Sequence, residues 1–249
     1  MADLERKLLI VGCSNSAGSE IDGTMDSQYN RDHSFGNMLA TEHLDRTPIN
    51  LGVGGLSNQG IARTAMKWIN SEYDANAHDL MVLVAWSEVT RMESPCEDAL
   101  RDYSHGAEFA ERQYHMNNLY HQINMGWSGD TDEEKEFFGK YQEFMGHNVK
   151  YLQTMGAVHV LWLQNYFKAN GIKYLMCNTM NMFEPGPHLS IYSRNIDTDY
   201  YYNAFDDTKA FYWYYRNMGY NNPKAQYWHH DEEPHRLYAQ ELANFYLKT

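Results

Sequence analysis

The feature that most constrains the fold is the run DLMVLVAW at residues 79–86, which is almost continuously apolar. An apolar run without alternation is typical of a strand that is covered on both faces, as in a parallel sheet. Further short apolar runs at 7–11, 48–53 and 172–177 predict three more strands. Together these runs predict an α/β fold with a mostly parallel central sheet.

Helical patterns separate the predicted strands. Residues 34–45 favour a helix, and Ser57 can cap a helix that continues to about Tyr73. A last helix is predicted at about 234–247, with leucine and phenylalanine side chains as its apolar contacts. Strands that alternate with helices predict a three-layer α/β/α architecture, with helices on both faces of the sheet.

The middle of the chain is predicted to be a helical insertion at about 98–150. Thr131 and Glu134 fit a capping box for a helix that would continue to the Asn-Gly pair at 170–171. Residues 180–228 are rich in tyrosine and asparagine and are predicted to be irregular. No low-complexity linker marks a boundary, so we expect residues 1–249 to form a single domain.

Charge and composition exclude several classes of function. The chain has 33 acidic and 20 basic residues and a formal net charge of −13, which argues against nucleic acid or an anionic membrane as a partner. Three scattered cysteines predict reduced thiols rather than a disulfide framework. The N-terminus lacks the apolar core of a signal peptide, and no run reaches membrane-spanning length. We therefore expect a cytoplasmic protein, and the sequence does not predict its oligomeric state.

Unusual residues follow three predicted strands, at 12–18, 52–58 and 86–91. In open α/β sheets, ligands bind at the carboxyl ends of the strands. A serine at a sharp strand-to-helix turn exposes its hydroxyl and its own N–H group, and small neighbours allow a substrate to approach the backbone. The loop GCSNSAG therefore makes Ser14 a candidate nucleophile.

This loop resembles the first sequence block, G-D-S-x-T-x-G, of the SGNH (GDSL-like) hydrolases, with Cys13 in place of aspartate and Ser16 in place of threonine. The stretch NLGVGGLSNQGI is similar to the second block, in which the resemblance makes Gly55, or else Gly54, the oxyanion-hole glycine. In MVLVAWSEVTR, Ser87 stands where the third block has asparagine. The pattern W-S-x-x-x-R is similar to that of divergent members from tailed phages.

The last block of the family, D-x-x-H before the final helix, falls near YWHHDEEPHRL. Counting back from His235 places the family histidine at His229 and its aspartate at Gln226, which has no carboxylate. The resemblance therefore implies His229 as the base, with Asp231 as the orienting acid. His230, or His235 with Glu232, remain open as alternatives.

The resemblance implies an acyl-ester hydrolase in which Ser14 attacks the carbonyl and His229 takes its proton. The N–H groups of Ser14 and Gly55 would form the oxyanion hole, with Ser87 as a third donor. Their positions at the strand tips make Asn58, Trp86 and Arg91 candidate contacts to the substrate. We expect an O-acetylated carbohydrate or another small acyl ester as substrate, and no metal or other cofactor.

Two other classes of function stay open at this point. Because the third and last blocks are altered, the chain could be a non-catalytic binding or virion-associated protein on the same scaffold. The loop SNSAGS could instead bind a phosphate, as in flavodoxin-like proteins. The cluster HHDEEPH at 229–235 also contains metal-ligating residue types, but an acidic helix N-terminus explains most of them.

Overall fold

The structure is a computed structural model that describes residues 4–95, 120–123, 132–184 and 186–248. Within these ranges the strands are β1 (Glu5–Gly12), β2 (Thr47–Asn50), β3 (His78–Trp86), β4 (Met92–Pro95), β5 (Tyr120–Ile123), β6 (Lys173–Asn178) and β7 (Tyr201–Tyr202). The helices in the same ranges are α1 (Ser14–Ala17), α2 (Gln28–Asp32), α3 (Phe35–Met38), α4 (Asn58–Glu72), α5 (Asp132–Gly146), α6 (Val149–Ala169), α7 (Ser190–Ser193), α8 (Phe211–Asn217) and α9 (Glu232–Tyr246).

The central sheet has five parallel strands in the order β2-β1-β3-β6-β7. Alternate residues of β1 and β3 face opposite layers, because successive side chains of a strand point to opposite faces. Leu9 and Val82 join a core with α4 and α6, whereas Leu8 and Met81 join a core with α3 and α9. The predicted three-layer α/β/α architecture is therefore confirmed.

Local signals place several element boundaries correctly. The Ser57 hydroxyl accepts a hydrogen bond from the Gly60 N–H group at 3.1 Å and caps α4. The Asn-Gly stop after α6 is also confirmed, because Gly171 has φ 64°. The glycines of this region make one unbroken helix unfavourable, and the helix is indeed interrupted: α5 ends at Gly146 and α6 begins at Val149.

The predicted helical insertion is only partly helical in the described ranges. β5 lies within it and pairs antiparallel with β4, and α5 begins at Asp132. The predicted capping residue Thr131 lies outside the described residues. The segment 180–228 contains short helices and β7, whose two residues are too few to produce a recognisable strand pattern. No helix in the described ranges is both long and apolar enough to cross a bilayer.

A buried arginine connects the loops at the carboxyl end of the sheet. Arg31 Nη1 donates hydrogen bonds to the carbonyl oxygens of Asn50 at 3.2 Å and Gly52 at 3.1 Å. The same guanidinium forms an ion pair with Asp26, with 3.0 Å between Nε and Oδ1. The Arg31 side chain is 4% exposed and that of Asp26 is 16% exposed, so the pair is largely desolvated. Arg31 therefore holds the segment after β2 against α2.

We expect Arg31→Met to lower the free energy of unfolding by about 3 kcal/mol or more, because it removes one partner of a buried ion pair. Urea denaturation measures this change. The control is Arg6→Met, since Arg6 pairs with Asp45 where the side chains are 47% and 95% exposed; we expect a loss below about 1 kcal/mol. Equal losses for the two variants would contradict the structural role of Arg31.

Candidate active site

The turn between β1 and α1 leaves no room for a side chain at Gly12. A Cβ atom there would lie 2.4 Å from Ser16 Oγ and 2.8 Å from the Ala85 carbonyl oxygen. The chain then enters α1 at Ser14, which is 6% exposed. As a first-turn residue, Ser14 has an N–H group without an intrahelical acceptor. The tight turn at the tip of β1 is as the sequence predicts, but the prediction of an exposed Ser14 hydroxyl is wrong, because the residue is buried within the turn.

Side-chain hydrogen bonds fix this turn in place. Ser16 Oγ donates to the Cys13 carbonyl oxygen at 2.7 Å, and Asn50 Nδ2 donates to the Ser16 carbonyl oxygen at 2.9 Å. Gly18 ends α1 with φ 73°, and a Cβ atom there would lie 2.2 Å from the Asn30 carbonyl oxygen. The loop that carries Ser14 is therefore built as a rigid unit.

The same loop places a carboxylate against the C-terminal segment. Glu20 is 1% exposed and adopts φ 65°, a left-handed conformation that is rare for a non-glycine residue. Its carboxylate accepts hydrogen bonds from the N–H groups of Gln226 at 2.6 Å and Tyr227 at 3.0 Å. His229 Nδ1 lies 2.7 Å from Glu20 Oε2. Residues 209 positions apart in sequence thus meet at one carboxylate.

The charge of Glu20 determines the tautomer of His229. Burial raises the pKa of the Glu20 carboxyl, but hydrogen bonds from His229, Gln226 and Tyr227 outweigh it and lower the pKa below the ordinary value. An ionised carboxylate can only accept hydrogen bonds, so His229 Nδ1 must carry the proton. In the neutral imidazole, Nε2 is then the basic nitrogen. No hydrogen bond within the described ranges occupies His229 Nε2.

Asp231 does not take the predicted role of orienting acid. It occupies the N-cap position of α9, and its Oδ1 is buried without a hydrogen-bond partner in the described part of the chain. Glu20 binds His229 in its place. Sequence reasoning missed Glu20 because no spacing rule connects it to His229; the one available signal was an acidic residue just beyond the small-residue loop.

The two alternative histidines are engaged in the core. His230 is 1% exposed, and its Nε2–H donates to the Tyr212 carbonyl oxygen at 2.9 Å. His235 is also 1% exposed, and its Nδ1 accepts the Phe35 N–H group at 3.2 Å. Burial lowers the pKa of both imidazoles, which favours their neutral forms. Both histidines therefore stabilise packing between α8, α9 and α3.

Glu232, the acid proposed as a partner for His235, faces elsewhere. Its carboxylate pairs with Arg236 in the first turns of α9 and accepts a hydrogen bond from the Tyr29 hydroxyl at 3.0 Å. Within the described ranges, no three histidine, cysteine or acidic side chains are grouped as a metal site.

Ser14 and His229 form no hydrogen bond with each other; their segments are connected through Glu20, which follows the Ser14 loop and contacts His229. Such bonds between a nucleophile and its base are often long in unliganded enzymes and shorten when substrate binds.

Gly55 lies in a turn that is closed by a hydrogen bond from the Leu56 N–H group to the Val53 carbonyl oxygen at 3.3 Å. Gly55 itself has φ 75°. The left-handed conformation favours glycine at this position.

The predicted substrate contacts differ in their surroundings. Asn58 is held by the backbone of Ser87: its Nδ2 donates to the Ser87 carbonyl oxygen at 3.1 Å, and its Oδ1 accepts from the Ser87 N–H group at 2.8 Å. Trp86 is fully buried, and its indole donates to Met176 Sδ, so it belongs to the core. Ser87 Oγ and two guanidinium nitrogens of Arg91 are buried without partners in the described part.

Comparisons with known proteins add a weak structural similarity. No family model matches the sequence, and no curated protein matches it. Among solved structures, the chain is similar to a carbohydrate acetylesterase family member from Sinorhizobium meliloti, with 11% identity over 96% of both chains and a TM-score of 0.36. A similarity at this level does not indicate the activity or substrate of this chain.

We expect Glu20→Gln to lower the free energy of unfolding at pH 7 by about 2–3 kcal/mol, because hydrogen bonds to a charged group are lost. Since the folded-state pKa of Glu20 is lowered, its stabilisation is present above the unfolded pKa near 4.3 and is lost as pH falls through the folded-state value. The difference between the variant and the wild type should therefore shrink in acid. Urea denaturation at a series of pH values measures it.

Asp231→Asn is the matched control, because the Asp231 side chain makes no capping hydrogen bond in α9. We expect its effect to be about 1 kcal/mol or less. A Glu20→Gln loss that does not change with pH would contradict an ionised carboxylate at this position.

Proposed function

We propose that this chain is a serine hydrolase of acyl esters, with Ser14 as nucleophile, His229 as general base and Glu20 as the carboxylate that orients His229. The observation that carries the proposal is the 2.7 Å contact between His229 Nδ1 and Glu20 Oε2. This contact supplies the carboxylate that the last sequence block lacks. It also leaves Nε2 as the nitrogen available to a serine hydroxyl.

The proposed reaction proceeds in two steps. Ser14 Oγ attacks the ester carbonyl carbon while its proton passes to His229 Nε2, and the alcohol leaves with that proton as the tetrahedral intermediate collapses. Water then attacks the acyl-serine with His229 again as base, which releases the carboxylic acid and restores the Ser14 hydroxyl. Glu20 stays ionised and stabilises the imidazolium that forms in each step.

The oxyanion would be bound by the N–H groups of Ser14 and Gly55, at the tips of β1 and β2. The Ser14 N–H group is free of intrahelical bonding by its position in α1. Ser87 contributes a hydroxyl at the tip of the adjacent β3, where it is 0% exposed and has no partner in the described residues. Removing one donor of such a site typically costs about 10²–10³ in rate.

The surroundings of His229 favour a carbohydrate or another substrate with a flat apolar face. Tyr227 is 60% exposed and Trp228 is 67% exposed, and both directly precede His229. Trp228 has φ 67°, so an unusual backbone conformation is maintained beside the proposed base. Exposed aromatic rings provide apolar surfaces on which the C–H face of a sugar ring can pack. We propose an O-acetylated carbohydrate, or another small acyl ester, as the substrate.

We expect Ser14→Ala to abolish covalent labelling by a fluorophosphonate and to reduce ester hydrolysis by about 10³-fold or more. The measurements are mass spectrometry of the labelled peptide and hydrolysis of 4-nitrophenyl acetate. The physical reason is that the attacking oxygen is removed while the turn that holds it is unchanged.

The matched control is Ser16→Ala, in the same turn. The Ser16 hydroxyl donates to the Cys13 carbonyl oxygen and is fully buried, so its loss should affect stability but leave labelling at Ser14 intact. Wild-type protein that neither labels nor hydrolyses acyl esters would overturn the proposal and favour a non-catalytic binding protein on this scaffold.

A further inference from the structure

The loop after β3 contains buried polar atoms without hydrogen-bond partners in the described part of the chain. These atoms are Ser87 Oγ, Thr90 Oγ1, Arg91 Nε and Arg91 Nη1. Asn15 Oδ1, in the loop that carries Ser14, is a fifth. Buried polar groups in native proteins nearly always have partners, so these atoms require hydrogen bonds from water or from a ligand.

Arg91 is the unusual member, because it is charged. No carboxylate of the described residues forms an ion pair with it, although the chain carries 33 acidic residues. Arg91 as a whole is partly buried, but its Nε and Nη1 atoms are shielded from water, and a shielded charge without a counter-ion is costly. In a chain with a net charge of −13, the missing partner does not reflect a shortage of acids. The Arg91 environment is therefore suited to an anion from outside the chain.

Ser87 and Arg91 follow β3 at its carboxyl end, and Cys13 follows the neighbouring strand β1. Cys13 Sγ lies 3.3 Å from Thr179 Oγ1 and 3.8 Å from Asn15 Nδ2. Burial raises the pKa of the Cys13 thiol, but the Arg91 charge and nearby hydroxyls outweigh it and lower the pKa. The charge of Arg91 therefore acts on Cys13, the residue that directly precedes the proposed nucleophile.

We propose that Arg91, together with the Ser87 hydroxyl, binds a carboxylate of the ligand, so that the preferred substrates are acidic acyl esters. Nε and Nη1 form one edge of the guanidinium and can donate two parallel hydrogen bonds to the two oxygens of a carboxylate. The fully buried Ser87 hydroxyl can donate a third. The assignment of the carboxylate to a substrate rests on the proposed function, whereas the anion site itself can be tested without catalysis.

The binding test uses 3- and 4-hydroxybenzoate and the corresponding hydroxybenzamides, which match in shape and differ in charge. Isothermal titration calorimetry measures the four dissociation constants. We expect the wild-type protein to bind at least one carboxylate about tenfold or more tightly than its amide, as charged hydrogen bonds allow. Arg91→Met should reduce this ratio to about one, and Arg91→Lys should retain part of it because the charge remains. Circular dichroism verifies that the variants are folded.

Cys13→Ser tests the competing explanation that the Cys13 thiolate is the counter-ion of Arg91. A serine hydroxyl cannot supply the negative charge of a thiolate, so the variant removes this counter-ion. We expect it to bind the carboxylate within about threefold of the wild type, because in the proposal the thiolate does not occupy the anion site. Binding that becomes tenfold or more tighter in Cys13→Ser would show that the thiolate fills the site, and would overturn the proposal. Equal binding of acid and amide by the wild type would also overturn it.

A second experiment measures hydrolysis. It compares the rates for 3- and 4-acetoxybenzoate with those for the corresponding acetoxybenzamides. We expect kcat/KM to favour an acid over its amide about tenfold or more, and Arg91→Met to remove that preference. If both compounds are hydrolysed equally, the anion site fails and the hydrolase proposal stands. If neither is hydrolysed but the carboxylate binds through Arg91, the anion site stands and the hydrolase proposal fails.

Discussion

The carboxylate of Glu20 is the interaction on which the proposed site depends. It is buried, it accepts hydrogen bonds from two backbone N–H groups of the C-terminal segment, and it contacts His229. The Glu20 carbonyl oxygen also accepts a hydrogen bond from Asn222 Nδ2 at 2.6 Å. Glu20 therefore connects the loop after Ser14 to the segment that carries the imidazole through its side chain and its backbone.

The position of this acid differs from the pattern that the sequence resembles. That pattern has its carboxylate on the same segment as the histidine, but here Gln226 stands at that place. Instead, the Gln226 N–H group donates to Glu20, so the carboxylate comes from the segment that follows Ser14, the proposed nucleophile. A triad is defined by geometry and by the roles of its groups rather than by the order of residues in the chain. The left-handed conformation of Glu20 shows that the backbone accommodates this placement at some conformational cost.

The fold could be predicted from the sequence because its signals are local. The continuous apolar run that became β3 requires cover on both faces, and the Ser57 cap and the Asn-Gly stop fix helix ends through nearby residues. The two-residue strand β7 and the β4-β5 ribbon could not be predicted, because pairing with distant segments forms them and no periodicity marks them.

The proposed site was harder to predict than the fold, because it too depends on contacts between distant segments. Ser14 and His229 could be named because each lies in a recognisable local block, whereas Glu20 is identified only by contacts across the fold. Likewise, the position of Trp86 at a strand tip predicted a ligand contact, but its ring packs in the core beside Met176. Arg91 could be named as a contact, but its lack of a partner could be seen only in three dimensions.

The tautomer of His229 tests the central claim most directly. Nitrogen-15 NMR of histidine-labelled protein, with His229 assigned through a His229→Gln variant, reports which ring nitrogen carries the proton in the neutral imidazole. We expect a protonated Nδ1 and an unprotonated Nε2 in the wild type, with the other tautomer gaining population in Glu20→Gln. A wild-type imidazole protonated at Nε2 would mean that Glu20 does not orient it, and would contradict His229 as the base for Ser14.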